Sequence, residues 1–313
     1  MTAPVLVRPL ADRLLSAVAA GPAALETVGA GGLEPLDRRD RFVTLLALYD
    51  LHTGSLPAAG PGVQHLGHPV VAAVKSGLEA DWVAELDAVP PPAGLPLDGV
   101  AGMRALAARD RLPPAYRWLA RAASWAELVH FLAVEGGPDG GVDDLIAVGQ
   151  VGLRGSAKLE LARNFWDEMG RGDAAAVHTE LHTDMAVAVG MPRIPREELP
   201  VEALERLALG GLLATNRWLQ PELLGAVGLL ELQAGPRCRL VLQAFDRLGA
   251  PAAAYPFYAE HAEVDPRHGK DWLELAIAPL CAEHPQWAPR VLRGAWWRSH
   301  TNRALFDLLA PAA

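Results

Sequence analysis

Cysteine is almost absent: Cys238 and Cys281 are the two among 313 residues, too few for a disulfide framework or a thiolate-rich zinc site. A reducing cytoplasm is the expected location. Nor does the chain hold about 18 apolar residues uninterrupted by charge, the length a membrane span needs. The opening MTAPVLVRPLADRLLSAV carries charges among its apolar residues and lacks a basic head before an apolar run, so no signal peptide is expected. Lysine is scarce and the formal net charge is −9, which argues against nucleic acid as the main partner. Strand-like alternation of apolar and polar residues is rare, and no repeat period or low-complexity tract occurs.

Apolar residues, by contrast, make up 51% of the chain, enough for a substantial core. They recur at three- and four-residue spacing in RDRFVTLLALYDLH (39–52), HPVVAAVKSGLEADWVAELDAV (68–89), PAYRWLARAASWAELVHFLAVE (114–135) and KLELARNFWDEM (158–169), which predicts helices there. Between them PAAGPG (57–62), VPPPAGLPLDG (89–99), GGPDGG (136–141) and the glycines of GLRG (152–155) read as turns or loops. The proline-rich stretch at 89–99 is the best boundary candidate.

One short stretch stands out, YAEHAEVDPRHGKDW (258–272). His261, Asp265 and His268 lie at offsets i, i+4 and i+7, so on a helix they share one face. Where a core stripe would carry leucine or valine, this one carries imidazole and carboxylate, the usual ligands of iron and zinc. A plainer reading stands beside it: Asp265 before Pro266 spells a helix start, with Asp as N-cap and Pro at the first helical position.

Further ligand types occur in NFWDEMGRGDAAAVHTELH (164–182). Glu168 and His178 are ten residues apart, in either a distorted helix or a helix followed by a second one starting near Asp173. Upstream, Glu135 ends the apolar helix ELVHFLAVE, where a buried carboxylate is costly unless paired or metal-bound. Each has an ordinary alternative: Glu168 as a solvated partner of Arg171, His178 as a first-turn surface residue, Glu135 as an exposed terminus. Together, three carboxylates and three histidines from three helices would furnish an N/O ligand set without thiolates, suited to a pair of irons. A zinc protease site fits less well, because HTELH has Thr179 where that motif needs its glutamate base. His182 then reads as a core or supporting histidine.

Glu135, His178 and the His-x-x-x-Asp-x-x-His motif at 261–268 resemble the heme-oxygenase-like diiron oxidases and oxygenases over roughly residues 115–310. That resemblance implies an all-α, heme-oxygenase-like helical bundle as the diiron core at residues 101–313, with an N-terminal helical accessory region at 1–100. It implies two irons as cofactor, no heme, and O2 as co-substrate for N-oxygenation, desaturation or oxidative C–C cleavage. The implied metal ligands are Glu135, Glu168, His178, His261, Asp265 and His268. Decarboxylating and lyase branches place a glutamate three residues before the second-helix histidine, where Ala175 stands here; the N-oxygenase branch places one ten residues before it, where Glu168 stands. The likeness is therefore to N-oxygenation of an amine or amino acid in natural-product biosynthesis. Asp143, Asp144 and Glu160 remain alternatives to Glu135 as first ligand. Arg163, Arg171, Glu260 and Glu263 are candidate substrate partners beside the ligands. The expected partners are a small-molecule substrate, an external electron donor and a second copy of the chain, with no nucleic acid and no membrane.

Overall fold

The computed structural model describes residues 8–136 and 142–311. Among the described residues the regular structure is all helical, with no strand, and none of these helices is long and apolar enough to cross a membrane. The predicted turn GGPDGG lies, beyond Gly136, outside the described residues, as do the first seven residues of the N-terminal segment. The chain divides into two compact units: one runs to Pro90 and takes in Pro195–Thr215, the other comprises Pro91–Ile194 and the chain from Asn216 onward. The break falls inside VPPPAGLPLDG. The later segment that joins the first unit carries no composition change that would announce it.

In chain order the first unit begins with α1 (Leu10–Ala20), α2 (Pro22–Ala30), α3 (Arg38–Thr53), α4 (Leu56–Ala59) and α5 (Pro69–Ala88). The second unit follows with α6 (Gly99–Arg109), α7 (Pro114–Arg121), α8 (Trp125–Glu135), α9 (Val142–Gly149), α10 (Gly155–Glu168) and α11 (His178–Val189). After α12 (Val201–Thr215) in the first unit, α13 (Gln220–Leu248), α14 (Tyr255–Asp271), α15 (Ala278–Glu283) and α16 (Ala288–Leu309) complete the second.

Two carboxylates organise the start of the first unit. Asp37 caps α3 by accepting from the Asp40 backbone at 2.8 Å. Asp40, itself buried, accepts the backbone N–H groups of Leu10 and Ala11, donors at the start of α1 that Pro9 has no side chain to cap. On α12, buried Glu205 accepts from the Trp82 indole at 3.0 Å and pairs with Arg38.

The predicted helix over 114–135 is two helices. Ser124 accepts from Glu127 N while the Glu127 carboxylate returns to Ser124 N at 2.8 Å. This reciprocal cap starts α8 afresh after α7 has ended at Arg121.

The spine of the second unit is α13, against which α7, α14 and α16 pack. Glycines let these helices meet backbone to backbone. A Cβ at Gly225 would stand 1.9 Å from Val291 O, and one at Gly294 would stand 2.0 Å from Glu222 O, so α13 and α16 touch where neither can carry a side chain. On the other side a Cβ at Gly269 would meet the backbone of Glu231 and Leu232 at 3.0 Å, and one at Gly235 would meet the Pro266 ring at 3.0 Å. Pro266 and Gly269 are thus contact points between α14 and α13. After Asp271 the helix widens into a π-helical turn, Trp272–Ile277, a feature often found beside functional sites. Trp272 anchors it by donating from its indole to Leu224 O at 3.0 Å.

Candidate metal centre

Asp265 does not start a helix. It lies within α14, which runs unbroken from Tyr255 to Asp271 with Pro266 inside it. Proline has no N–H to give the carbonyl four residues back, and that carbonyl, Ala262 O, instead accepts from Arg239 Nη1 at 2.8 Å. The helix therefore continues, and His261, Asp265 and His268 share the face that their spacing predicts. Arg239→Ala should cost about 1 kcal/mol of stability, and less than half of that in a Pro266→Ala background, where residue 266 regains the helical donor. A double-mutant cycle by urea unfolding reads the difference.

Opposite this face, α10 ends with Glu168 and α11 begins at His178. Between them the chain turns back through Arg171, held at φ +53°, and through a short turn in which Asp173 accepts from Ala175 N. A single 3-10 turn, Ala174–Ala176, starts at Asp173, and the second α-helix follows it at His178. Glu168 and His178 are both buried, and His178 Nδ1 lies 2.7 Å from Glu168 Oε2. Arg171 pairs instead with Glu260 and Asp167, at 2.9 and 3.5 Å. The solvated Glu168–Arg171 pair and the surface His178 are therefore not what forms.

Two groups of side chains converge with ligand atoms within 4.8 Å of one another: Glu168, His178 and His261, and Glu168, Glu231 and His268. Glu168 belongs to both. Asp265 borders the second, its Oδ1 3.8 Å from His268 Nδ1. Glu135 is in neither group; it acts electrostatically on Tyr258 and Cys238, farther along α14 and α13. Of the alternatives, Glu160 is buried and pairs with Arg163 at 3.2 Å. Asp143 is pushed up by burial and by the charges of Asp144 and Glu168. Neither of them, nor Asp144, is in a group.

Glu231, on α13, went unrecognised in the sequence. It is a single acid within GAVGLLELQAG and has no partner at helical spacing. Its signal was nevertheless present, since a glutamate in an apolar run that is buried all round is costly unless something compensates it.

Hydrogen bonds fix which ring nitrogens face the centre. His261 Nδ1 lies 2.7 Å from Phe257 O; a carbonyl only accepts, so Nδ1 carries the proton and Nε2 keeps its lone pair. His268 is arranged the other way. Its Nε2 lies 2.8 Å from Asp167 Oδ2, which leaves Nδ1 to face Glu231 Oε2 at 3.5 Å and Asp265. Asp167 is held in turn by Arg267 at 2.6 Å, the kind of outer support that orients metal-binding histidines.

The electrostatics are those of crowded carboxylates. Burial would pull His268 down, but Glu231 and Asp167 outweigh it and raise the ring to about 9. Burial would raise Glu168, but His178, His261 and His268 hold it below the usual carboxylate range. Asp265 is held well above that range by burial, then by Glu231, Glu168 and Glu260.

Whether a cation fits is decided by the orphaned atoms. His178 Nδ1 and Nε2, Glu231 Oε2, Asp265 Oδ2 and His268 Nδ1 are buried without a hydrogen-bond partner; the 2.7 Å His178–Glu168 contact lies off hydrogen-bond alignment. Each such atom left unsatisfied costs about 1–3 kcal/mol. Buried nitrogen and oxygen atoms that converge without partners are what a divalent metal satisfies once it displaces the proton that His268 carries without it, and an N/O set without thiolate suits iron.

Comparison with known proteins brings in iron independently. A model of the iron-containing redox enzyme family matches residues 130–303, which contain every residue of both groups. The all-α fold is that of the heme-oxygenase-like proteins. Among solved structures, the chain is similar to a CADD-like protein of unknown function from Nostoc punctiforme at 15% identity and a TM-score of 0.49, over 75% of this chain and 94% of that one. No curated protein matches.

Proposed function

We propose, for a chain that belongs to the iron-containing redox enzyme family, an O2-dependent diiron oxidase or oxygenase whose substrate is an amine or amino acid. The observation that carries this reading is the convergence of buried nitrogen and oxygen atoms without hydrogen-bond partners on two groups that share Glu168. Glu168, His178 and His261 would hold one iron, and Glu168, Glu231 and His268 the other, with Asp265 beside it.

Two ferrous ions held there would supply the electrons that activate O2. The chain's own residues supply the rest. His261 keeps its Nδ1 proton on Phe257 O, which leaves the Nε2 lone pair free, whereas His268 keeps its Nε2 proton on Asp167 and would give up the proton on its inward Nδ1 as a metal binds. The three carboxylates Glu168, Glu231 and Asp265 offset the metal charge, and their burial keeps bulk water off the reacting face. Arg171 with Glu260, and Arg163 with Glu160, neutralise one another, so a charged substrate that used them would have to exchange partners. The preference for N-oxygenation is supported by Glu168 touching His178 across the ten-residue interval, with Ala175 at the position where other branches carry glutamate. An external electron donor would return the irons to the ferrous state between turnovers.

Anaerobic titration with ferrous iron should saturate close to two irons per chain, and the loaded protein should consume O2 faster with a primary amine than with a fatty acid. Saturation at one zinc with no iron retained would overturn the diiron reading. A fatty-acid preference would overturn only the amine.

A further inference from the structure

We infer that the second unit carries a binding site for a small monocarboxylate, separate from the metal centre, in a cavity of about 150 Å³ between the α6–α7 connection, α13 and α16. The inference does not depend on the iron reading. Gln233 lines this cavity and is fully buried, and its Nε2 has no hydrogen-bond partner. The amide cannot be turned over to cure this, because its Oε1 already accepts from Arg237 Nη2 at 2.7 Å. What is missing is therefore an acceptor. A buried amide donor left without one costs about 1–3 kcal/mol, and a carboxylate oxygen is the strongest acceptor that could serve it.

The charge of the walls selects the same chemistry. Three guanidinium groups line the cavity, Arg109, Arg237 and Arg303, against two carboxylates, Asp110 and Asp307. Asp110 is already engaged by Arg303, at 2.9 and 2.8 Å, and by Ser299. The surplus of one positive charge matches one ionised carboxylate. Leu112, Pro113, Pro114 and Phe306 form an apolar wall for a short tail. At about 30 Å³ for each water-sized group the volume holds roughly five of them, the bulk of a three- or four-carbon acid.

Two features set the cavity apart from the metal centre. No residue of either metal-facing group lines it. Gln233 is also two residues beyond Glu231 on α13, so the two side chains leave that helix about 160° apart.

The test is calorimetry of butyrate with chelator-treated, metal-free protein, with butyramide as the neutral isostere. Wild type should bind butyrate saturably at one site per chain, with a dissociation constant on the order of 1 mM or tighter, and butyramide at least tenfold more weakly. Gln233→Glu keeps an acceptor for Arg237 but replaces the free donor by a negative charge, and should lose butyrate binding at least tenfold. Arg109→Ala, at an exposed residue, should weaken it several-fold with an unchanged unfolding midpoint, and so serves where Gln233→Glu does not fold. The absence of saturable binding to wild type, which is the outcome if the cavity holds water only, would overturn the site. So would butyrate affinity unchanged in either variant, or butyramide binding as tightly as butyrate.

Discussion

Glu168→Ala is expected to remove both irons from the protein, where His261→Ala should remove one. The difference follows from sharing: Glu168 offers a ligand atom to both groups, whereas His261 belongs to the first alone. Loss of the shared carboxylate leaves His178 and His261 facing an apolar methyl on one side, and Glu231 and His268 on the other. Two neutral nitrogens, or one nitrogen and one carboxylate, hold a ferrous ion weakly, because open carboxylate and imidazole sites rely on ligand number and charge. The fold should survive. Glu168 without metal is held below the usual carboxylate range by His178, His261 and His268, so its removal should lower the unfolding midpoint while leaving the helices in place. Iron per chain after anaerobic loading should be near zero for Glu168→Ala and near one for His261→Ala, with far-UV circular dichroism unchanged in both. Glu135→Ala, outside both groups, should still load two. Two irons in Glu168→Ala would remove its shared role in the two groups, and loss of iron in Glu135→Ala would return that residue to the ligand set.

How much of this could be read in the sequence depends on where the determining interactions lie. The helical class was legible because apolar spacing is local, and so was the shared face of His261, Asp265 and His268. The division of 114–135 was legible in principle, since Ser124 and Glu127 form a reciprocal cap, but apolar periodicity runs across it and hides the restart. Pro266 offered two readings, a residue inside the shared-face helix and a helix start; it is internal, and Arg239, 27 residues upstream, takes the carbonyl it leaves bare. No local rule reports a partner at that distance. Glu231 was invisible for a related reason. It reaches the centre only because Gly269 lets α14 approach the Glu231–Leu232 backbone, and a helix crossing leaves no spacing in one helix to be read. Likewise α12 joins the first unit through its packing on α3, a contact between segments about 160 residues apart.

Asp265→Asn should separate the metal-free and iron-loaded proteins in opposite directions. Since Asp265 lies inside α14, a capping role no longer competes with a metal-facing one. In the metal-free protein its carboxyl is held well above the ordinary carboxylate range, by burial first and then by Glu231, Glu168 and Glu260. For an acid raised in this way, the stability it contributes is fully present below the unfolded value, about 3.9, and is lost as pH rises through the folded one. At neutral pH the metal-free wild type therefore carries a cost that asparagine, which resembles the protonated acid, does not. Metal-free Asp265→Asn should melt above metal-free wild type at pH 7, and the gap should shrink as pH falls toward 4. Iron reverses the order. A cation is stabilised by the ionised carboxylate, so wild type should gain more on loading than the variant by the linkage of binding to folding, and the variant should load less iron at the second group, where Asp265 borders His268 at 3.8 Å. Melting curves at pH 4, 5.5 and 7, with and without anaerobic ferrous iron, test both halves. Equal curves in all conditions would place Asp265 outside the ligand set, and a variant less stable than wild type when metal-free at pH 7 would show that its carboxylate is satisfied by protein alone.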